Sequence, residues 1–396
     1  MYREQSNMNY DYSDIKYYND EEFRKYLPVL AEEPTMHRIL SYFKPGITAQ
    51  ETKEFLLSFD NIADFQGRFI IHLVEKIIND SIDDLTCDGL ENVDPSKKYL
   101  FITNHRNIVL DVAGLNYVMY REFQERFRST AIAIGDNLLT IPWVKHLARM
   151  NKSFLVERQL QPQEMLNSSK RLSQYIHDII TGGHDSVWIA HREGRTKDGN
   201  DFTQAGLIKM LAMSGEGLLS EKLGELHLLP VVISYENDPC DTMKIKELAA
   251  IQRGEKYVKG PMEDFNSMFS GLMGHKGRVH YHFGAELTRE QLLKLNENIP
   301  VNQRVRNLCE YLDTFIYSNY RLYEKNYIAT DILNGNSAFS HLYTRAKYDD
   351  FIAEMEEKLN TVDGDYQQNK EIFLKMFAYP VKNYYSVVDH DYTFDF

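Results

Sequence analysis

The stretch Tyr99-Leu-Phe-Ile-Thr-Asn-His-Arg-Asn-Ile-Val-Leu-Asp111 joins a short apolar run to the start of a longer amphipathic run, with Asn-His-Arg-Asn between them. The same succession of short β-branched run and longer amphipathic run recurs along the chain. Predicted strands are 99–103, 130–134, 153–156, 186–190, 228–234 and 278–283, and predicted helices are 108–127, 137–149, 163–181 and 203–218. Strands that alternate with helices over about 190 residues predict an α/β fold, a mostly parallel sheet covered by helices on both faces.

Both flanks of this alternating region are predicted to be helical. Before it, the stretch 69–78 places apolar residues at 70, 73, 74, 77 and 78, which is the spacing of one helix face. After Gly284, the stretch 288–325 and the tail segment 351–359 also look helical. The sequence therefore predicts four regions, which are a polar, mobile segment at 1–20, a helical region at 21–84, an α/β domain at 85–285 and a helical extension at 286–396.

Composition excludes several classes of protein. Of the 396 residues, 45 are Lys or Arg and 58 are Asp or Glu, which gives a net charge of −13 and no general attraction to nucleic acid or anionic lipid. The three cysteines, Cys87, Cys240 and Cys309, are isolated and indicate a reducing cytoplasm rather than a disulfide scaffold. The first residues lack the apolar core of a secretory signal, and no run reaches the roughly 20 apolar residues that span a bilayer. We therefore expect a cytoplasmic protein in which a local basic pocket holds any phosphate.

His105 and Asp111 are a candidate acid–base pair. The histidine directly follows a buried strand, and the carboxylate lies in the first turn of the next predicted helix. In such a pair the carboxylate holds one ring nitrogen while the other nitrogen takes a proton from a hydroxyl. On this segment alone, a loop histidine and an aspartate that merely favours the helix dipole explain the residues equally well.

The loop after strand 186–190 is a candidate anion site. It reads His191-Arg-Glu-Gly-Arg-Thr-Lys-Asp-Gly199, so that Glu193 and Arg195 flank Gly194. Glycine lets the backbone approach a ligand closely, and arginine holds phosphate oxygens in a bidentate fork. Arg158, just after strand 153–156, is a further candidate. Taken alone, an ordinary polar loop and a surface ion pair account for these residues better.

Other catalytic and metal motifs are not found in the sequence. There is no P-loop and no Gly-x-Ser-x-Gly nucleophile elbow. His280 and His282 alternate on one predicted strand, and His184 and His191 are seven residues apart, so neither pair has the spacing of a zinc site. No metal site and no bound cofactor are predicted.

Taken together and in this order, the candidate elements resemble the motifs of the glycerolipid acyltransferase family, which includes lysophosphatidic acid and glycerol-3-phosphate acyltransferases. The resemblance covers about residues 85–285, because the stretches 87–95 and 279–284 are similar to the segments that open and close the family's domain. The four motifs are matched by Asn104-His105 with Asp111, by the strand that leads to Arg158, by Glu193-Gly194-Arg195, and by Leu229-Pro-Val-Val-Ile-Ser234.

The chain departs from the family pattern at two motifs, so it resembles a divergent member. Five residues separate His105 from Asp111 where the family has four, and Leu110 stands in the place of the family's aspartate. The third motif lacks the family's Phe-Pro pair, and Arg195 follows Gly194 directly.

The resemblance implies substrates and roles. His105 would deprotonate the hydroxyl of a lysophosphatidate or glycerol 3-phosphate acceptor, and Asp111 would orient the imidazole. The hydroxyl would attack an acyl thioester, so acyl-CoA or acyl carrier protein is the co-substrate and no cofactor is required. Arg158 and Arg195 would hold the acceptor's phosphate, while Glu193 would position an arginine or an acceptor hydroxyl. The implied role is phospholipid biosynthesis in the cytoplasm, with peripheral contact at the inner face of the cell membrane.

Two alternatives remain open at this point. One is an O-acyltransferase that acts on an aminolipid or another lipid acceptor, and the other is a non-catalytic lipid-binding relative. Geometry separates catalysis from mere binding, because the dyad cannot work if the side chains of His105 and Asp111 lie beyond hydrogen-bond reach.

Overall fold

The computed structural model describes residues 10–260, 262–294, 298–389, 392–394 and 396. The N-terminal region consists of helices α1 (Asp20–Ala31), α2 (Pro34–Phe43), α3 (Ala49–Leu57), α4 (Ile62–Phe65) and α5 (Ile71–Ser81). These helices pack around the fully buried rings of Phe23, Phe65 and Phe69. The helix predicted at 69–78 is present, but its first residues belong to a π-helical turn, Gln66–Ile70, that runs directly into α5.

Residues 10–19 pack on the α/β region. Ile15 is buried in its core, and the Tyr17 hydroxyl donates a hydrogen bond to the buried side chain of Asp185 at 2.7 Å. The mobile segment predicted at the N-terminus also includes residues 1–9, which lie outside the described residues.

Among the described residues, seven strands form one sheet, and the predicted fold class is confirmed. The strands are β1 (Asp84–Asp88), β2 (Leu100–Thr103), β3 (Ala131–Gly135), β4 (Ser153–Val156), β5 (Val187–Ala190), β6 (Leu228–Tyr235) and β7 (Arg278–Phe283). Their order in the sheet is β1-β7-β6-β2-β5-β3-β4, and every neighbouring pair is parallel except β6 and β7. Five strands therefore point their C-terminal ends at one edge, while β1 and β7 run the other way.

The six predicted strands are all present, but the sequence analysis does not predict β1. This strand pairs in parallel with β7, from Asp84 opposite Arg278 to Asp88 opposite His282. It is bracketed by two aspartates and is partly exposed at the edge of the sheet, so it lacks the apolar run that marks the buried strands. The helical N-terminal region accordingly ends with α5 at Ser81.

The α/β region is covered on both faces by helices. They are α6 (Leu110–Phe123), α7 (Pro142–Met150), α8 (Pro162–Thr181), α9 (Ala205–Leu211), α10 (Leu219–Gly224), α11 (Asp241–Gln252) and α12 (Glu263–Met273). Successive residues of a strand point to opposite faces. Leu100 and Ile102 therefore pack with α8 and α9, while Phe101 packs with α5 and α6. Because both faces are buried, β2 is apolar almost throughout.

Two differences from the predicted helices have local causes. The prediction of one continuous helix over 203–218 is wrong for its second half, since α9 ends at Leu211 and α10 begins only at Leu219. The gap contains Gly215 and Gly217, and glycine is a poor helix former. Helices α11 and α12, between β6 and β7, are not predicted at all.

The C-terminal region is helical, and the predicted helical flanks are confirmed. Its helices are α13 (Arg289–Lys294), α14 (Val301–Ser318), α15 (Glu324–Asn334), α16 (Arg345–Leu359) and α17 (Tyr366–Val388). Helices α15, α16 and α17 share an apolar core around Phe351 and Phe373. Helix α17 also lies against α11 and α14, so the extension packs directly on the α/β region.

None of the described helices is long and apolar enough to cross a bilayer. The three cysteines, all within the described residues, are free thiols. Cys87 is exposed on β1, whereas Cys240 and Cys309 are buried.

A partly buried carboxyl on α14, that of Asp313, anchors the loop that precedes α9. Its Oδ1 accepts hydrogen bonds from the N–H and the hydroxyl of Thr203 at 2.7 and 2.6 Å. Burial is the main cause that raises the pKa of Asp313 from its usual value near 3.8 to about 6.

We predict that Asp313→Asn makes stability less dependent on pH. Between pH 3.8 and about 6 the folded protein keeps a proton on Asp313 that the unfolded chain has released. The contribution of this group to stability therefore falls as pH rises through that window and is lost above it. The free energy of unfolding of the variant, relative to wild type, should rise by on the order of 2 kcal/mol from about pH 4.5 to about pH 7. Urea unfolding at both pH values measures the difference, and an equal offset at both would show that Asp313 titrates normally.

Candidate active site

The loop after β2 brings His105 and Asp111 into contact. His105 Nδ1 lies 2.7 Å from Asp111 Oδ2, the Asp111 side chain is fully buried, and the His105 side chain keeps 12% of its surface exposed. Helix α6 begins at Leu110, which points into the core, so Asp111 is the second helical residue and lies in the first turn. The five-residue spacing therefore leaves the two side chains within hydrogen-bond reach.

The carboxylate of Asp111 accepts hydrogen bonds at both oxygens. Oδ2 also accepts from the backbone N–H groups of Arg106 and Asn107 at 2.7 and 3.0 Å, and Oδ1 accepts from the Tyr235 hydroxyl at 2.8 Å. An ionised carboxylate can only accept, so the hydrogen between the two side chains is on His105 Nδ1. In the neutral imidazole the other ring nitrogen, Nε2, then carries no hydrogen and can take a proton.

Tyr235 and Trp188 fix this pair from neighbouring strands, and neither is predicted from the sequence as a site residue. Tyr235 is the last residue of β6, next to β2. Burial and then the charge of Asp111 raise the pKa of Tyr235 well above its usual value, so the phenol remains a donor. Trp188 of β5 packs edge-on against the His105 ring, with ring centroids 5.5 Å apart. The position of Tyr235 at the C-terminal end of a strand next to β2 was the available signal.

Two asparagines hold the loop that carries His105. β2 last pairs with β6 at Thr103, and the side chain of Asn104 then donates to the carbonyl of Ile233 at 2.9 Å and accepts from its N–H at 2.8 Å. The side-chain amide of Asn104 thus takes the place of a backbone peptide group and continues the hydrogen bonds between β2 and β6. Asn107 Oδ1 accepts from the N–H of Leu110 at 3.0 Å, which satisfies a donor that the start of α6 leaves free.

Arg158 and Glu193 meet beyond the ends of β4 and β5. Arg158 Nε lies 3.6 Å from Glu193 Oε1, and 65% of the Glu193 side chain is exposed. The guanidinium packs against Gly135 at the end of β3, where a Cβ atom would lie 2.6 Å from Arg158 Nε. Only glycine leaves room for Arg158 in this place.

The loop that contains Gly194 and Arg195 lies beside His105. The N–H of Thr196 donates to the His105 carbonyl at 2.9 Å. Gly194 has a φ of +69°, in the left-handed region that favours glycine, and it turns the loop. Arg195 Nη2 then donates to the Ser267 hydroxyl of α12 at 2.8 Å.

The loop contains a further arginine that the sequence analysis did not single out. Arg192 stacks on the ring of Phe202, 4.2 Å from its centroid. In the described part of the chain, no group accepts a hydrogen bond from three buried atoms, Arg158 Nε, Arg192 Nε and Arg195 Nη1. Lys197, by contrast, is paired with Glu247. Arginine donors without acceptors around one loop are suited to bind an anion.

No group of three or more His, Cys, Asp or Glu side chains gathers as metal ligands in the described ranges. His191, the first residue of the loop, is fully buried, and burial lowers the pKa of His191 to about 4. It is therefore neutral at physiological pH and adds no charge to the anion site.

Comparisons with known proteins find one family model that matches part of the chain. Residues 84–234 match the family model described as Acyltransferase. A search of curated proteins finds no match. Among solved structures the chain is similar to the 1-acyl-sn-glycerophosphate (LPA) acyltransferase, PlsC, from Thermotoga maritima, with 11% sequence identity, a TM-score of 0.36, and coverage of 75% of this chain and 94% of that chain. The segment 84–234 holds the His105–Asp111 pair and the Glu193–Arg195 loop.

We predict that Asp111→Asn keeps the loop folded whereas Asp111→Ala does not. An asparagine can place its amide oxygen where Oδ2 lies and turn its NH2 group toward the Tyr235 oxygen. Alanine leaves two backbone N–H groups and a tyrosine hydroxyl buried without an acceptor, at about 1–3 kcal/mol each. Guanidinium unfolding should therefore show a loss of about 3 kcal/mol or more for Asp111→Ala and about 1 kcal/mol for Asp111→Asn. Equal losses in the two variants would mean that the charge, and not the set of accepted hydrogen bonds, holds the loop.

Proposed function

We propose that this protein moves a fatty acyl group onto the hydroxyl of a glycerol-phosphate-type acceptor, since residues 84–234 match the Acyltransferase family model and contain the candidate motifs. The donor is acyl-CoA or acyl carrier protein, and the acceptor is lysophosphatidate or glycerol 3-phosphate. The observation that carries the proposal is the 2.7 Å contact of His105 Nδ1 with Asp111, which leaves Nε2 available beside a loop rich in arginine.

In the proposed reaction His105 acts first as a base and then as an acid. Nε2 takes the proton of the acceptor hydroxyl while the hydroxyl oxygen attacks the thioester carbonyl. The tetrahedral intermediate collapses with cleavage of the carbon–sulfur bond, and the imidazolium returns its proton to the leaving thiolate. The products are an ester and a free thiol, and no acyl-enzyme forms. Asp111 stabilises the imidazolium, as the aspartate does in a serine-hydrolase triad.

The phosphate of the acceptor is assigned to the arginines. Arg158 and Arg195 each have a buried N–H without an acceptor, and a phosphate can take hydrogen bonds from both. Glu193 lies 3.6 Å from Arg158, so it can hold that arginine in place or accept from an acceptor hydroxyl. The left-handed turn at Gly194 lets the backbone approach the ligand.

We propose that helix α12 lies at a surface for peripheral membrane contact. One face of α12 covers the candidate site, since Ser267 contacts Arg195 and the carbonyl of Gly271 accepts from Asn107 at 2.7 Å. Phe269 is 57% exposed, and Val258, ahead of the helix, is 76% exposed. Large exposed apolar side chains next to a site for a lipid acceptor favour a lipid surface as the occupant. We infer that this face meets the inner side of the cell membrane, in the reducing cytoplasm.

We predict acyl transfer that depends on His105. Purified protein is assayed with acyl-CoA and acyl-ACP against glycerol 3-phosphate, lysophosphatidate and a lyso-aminolipid, and His105→Ala should lower kcat by about 10³-fold. His184→Ala, which removes an exposed histidine, is the matched control and should leave kcat unchanged.

The acceptors in this assay separate the alternatives. Arg195→Gln should raise KM about tenfold for phosphate-bearing acceptors if the guanidinium binds the phosphate. Preferred turnover of the lyso-aminolipid would replace the proposed acceptor. Lipid binding with no turnover of any acceptor would identify a non-catalytic relative, and undiminished turnover in His105→Ala would rule out the mechanism.

We predict that the exposed apolar side chains near α12 bind vesicles. The double variant Val258→Ser, Phe269→Ser should lower the fraction that floats with phosphatidylethanolamine–phosphatidylglycerol liposomes at least tenfold, because each side chain contributes about 1.5–3 kcal/mol when buried in lipid. Val29→Ser, on the exposed surface of α1, is the matched control and should float like wild type. Absence of flotation by wild type, or equal flotation of the double variant, would exclude this surface.

A further inference from the structure

Asp201, in the loop between β5 and α9, is a fully buried carboxylate that joins separate segments of the chain. Its Oδ2 accepts from Arg106 Nη2 at 2.7 Å, from the Tyr320 hydroxyl at 2.6 Å and from Asn104 Nδ2 at 3.3 Å. Its Oδ1 accepts from the Thr196 hydroxyl at 2.5 Å. In the proposed reaction Asp201 has no direct role, so its set of contacts requires another explanation.

Three of the groups that donate hydrogen bonds to Asp201 also lie next to His105. Asn104 and Arg106 are its two sequence neighbours, and both are held by this one carboxylate. Thr196 donates its hydroxyl to Asp201 and its N–H to the His105 carbonyl. The backbone of His105 is therefore held on three sides by groups that share the Asp201 carboxylate.

The C-terminal extension completes this set. Tyr320, just after α14, donates to the Asp201 side chain, and Tyr317 of α14 donates to the Asp201 carbonyl at 2.5 Å. Both tyrosines lie far beyond residue 234, where the family match ends. Burial raises the pKa of the Asp201 carboxyl, but the charge of Arg106 and the hydrogen bonds from Thr196 and Tyr320 outweigh it and hold the pKa below its usual value. The carboxylate is therefore ionised and accepts every one of these hydrogens.

We propose that Asp201 is a positioning residue for acyl transfer, which sets the placement of His105 through Asn104, Arg106 and Thr196 and is itself held by Tyr320 of the C-terminal extension. The proposal rests on the proposed function in one respect, that His105 is the group that moves the proton. Misplacement of a reacting group by about 1 Å can lower a rate by about 10²-fold without loss of substrate binding. The effect of removing Asp201 should therefore appear in kcat rather than in KM.

The experiment compares three variants that alter the contact between the loop and the extension. Asp201→Asn removes the charge, and Tyr320→Phe removes one hydroxyl. Asp313→Asn alters a partly buried carboxyl of the same contact that bonds only to Thr203 among the described groups. We expect kcat to fall about 10²-fold in Asp201→Asn and about tenfold in Tyr320→Phe, with KM within about threefold of wild type. Asp313→Asn should keep the wild-type kcat.

A second measurement does not depend on turnover. In protein labelled with ¹³C at histidine Cε1, the His105 signal is assigned by its absence in His105→Gln. We expect this signal to shift or split in Asp201→Asn and Tyr320→Phe and to keep its position in Asp313→Asn. If wild type turns over no acceptor, the proposed function fails, and this signal still decides the role of Asp201.

Three results would overturn the proposal. They are a wild-type kcat in folded Asp201→Asn, a lowered kcat with an unmoved His105 signal, and equal effects in Asp313→Asn and Asp201→Asn. Should Asp201→Asn fail to fold, Tyr320→Phe decides by the same two measurements, because it removes a single hydroxyl.

Discussion

A buried carboxylate needs a hydrogen-bond donor at each oxygen, and this requirement at Asp111 organises the centre of the protein. An ionised group taken out of water without partners costs several kcal/mol. Its partners here are His105, two N–H groups of its own loop and Tyr235 from a neighbouring strand. They meet only if β2 lies beside β6 in one register and the loop turns back on the start of α6. The register of the sheet, the start of the helix and the direction of the imidazole are therefore set together.

The parts of this arrangement that the sequence could predict are those whose signal is local. β2 is recognisable because both of its faces are buried and its residues are apolar, whereas β1 has a polar, half-exposed edge and leaves no such pattern. His105 and Asp111 can be recognised in the sequence because Asp111 follows His105 by only six positions, within one strand–loop–helix segment. Tyr235 lies 124 positions from Asp111, and its position at the end of a strand marks it as a candidate site residue without indicating which carboxylate it meets. Asp201 is not predicted either, since its donors other than Thr196 come from the distant loop after β2 and from the C-terminal extension.

The same long-range contacts show why the family match and the folded unit differ in extent. The match stops at residue 234, yet Tyr235 and Tyr320 each supply a donor to a buried carboxylate inside it. A segment cut at that boundary would leave two buried oxygens short of a donor. The net charge does not describe the candidate site either, because a protein with a net charge of −13 still places several arginine N–H groups that lack an acceptor around one loop. The net charge therefore reflects the protein surface as a whole, whereas the arginine donors of this loop indicate the charge of the ligand that we propose for it.

The position of the exposed cysteine has a practical consequence. Cys87 lies on β1, at the far edge of the sheet, with β7 and β6 between it and β2. At the usual spacing of strands this is a lateral distance of about 14 Å from the strand that leads to His105. The other two thiols are shielded by the core. A maleimide dye or a surface linker would therefore attach at one native position, so the protein can be immobilised or followed by single-molecule fluorescence without changing its sequence.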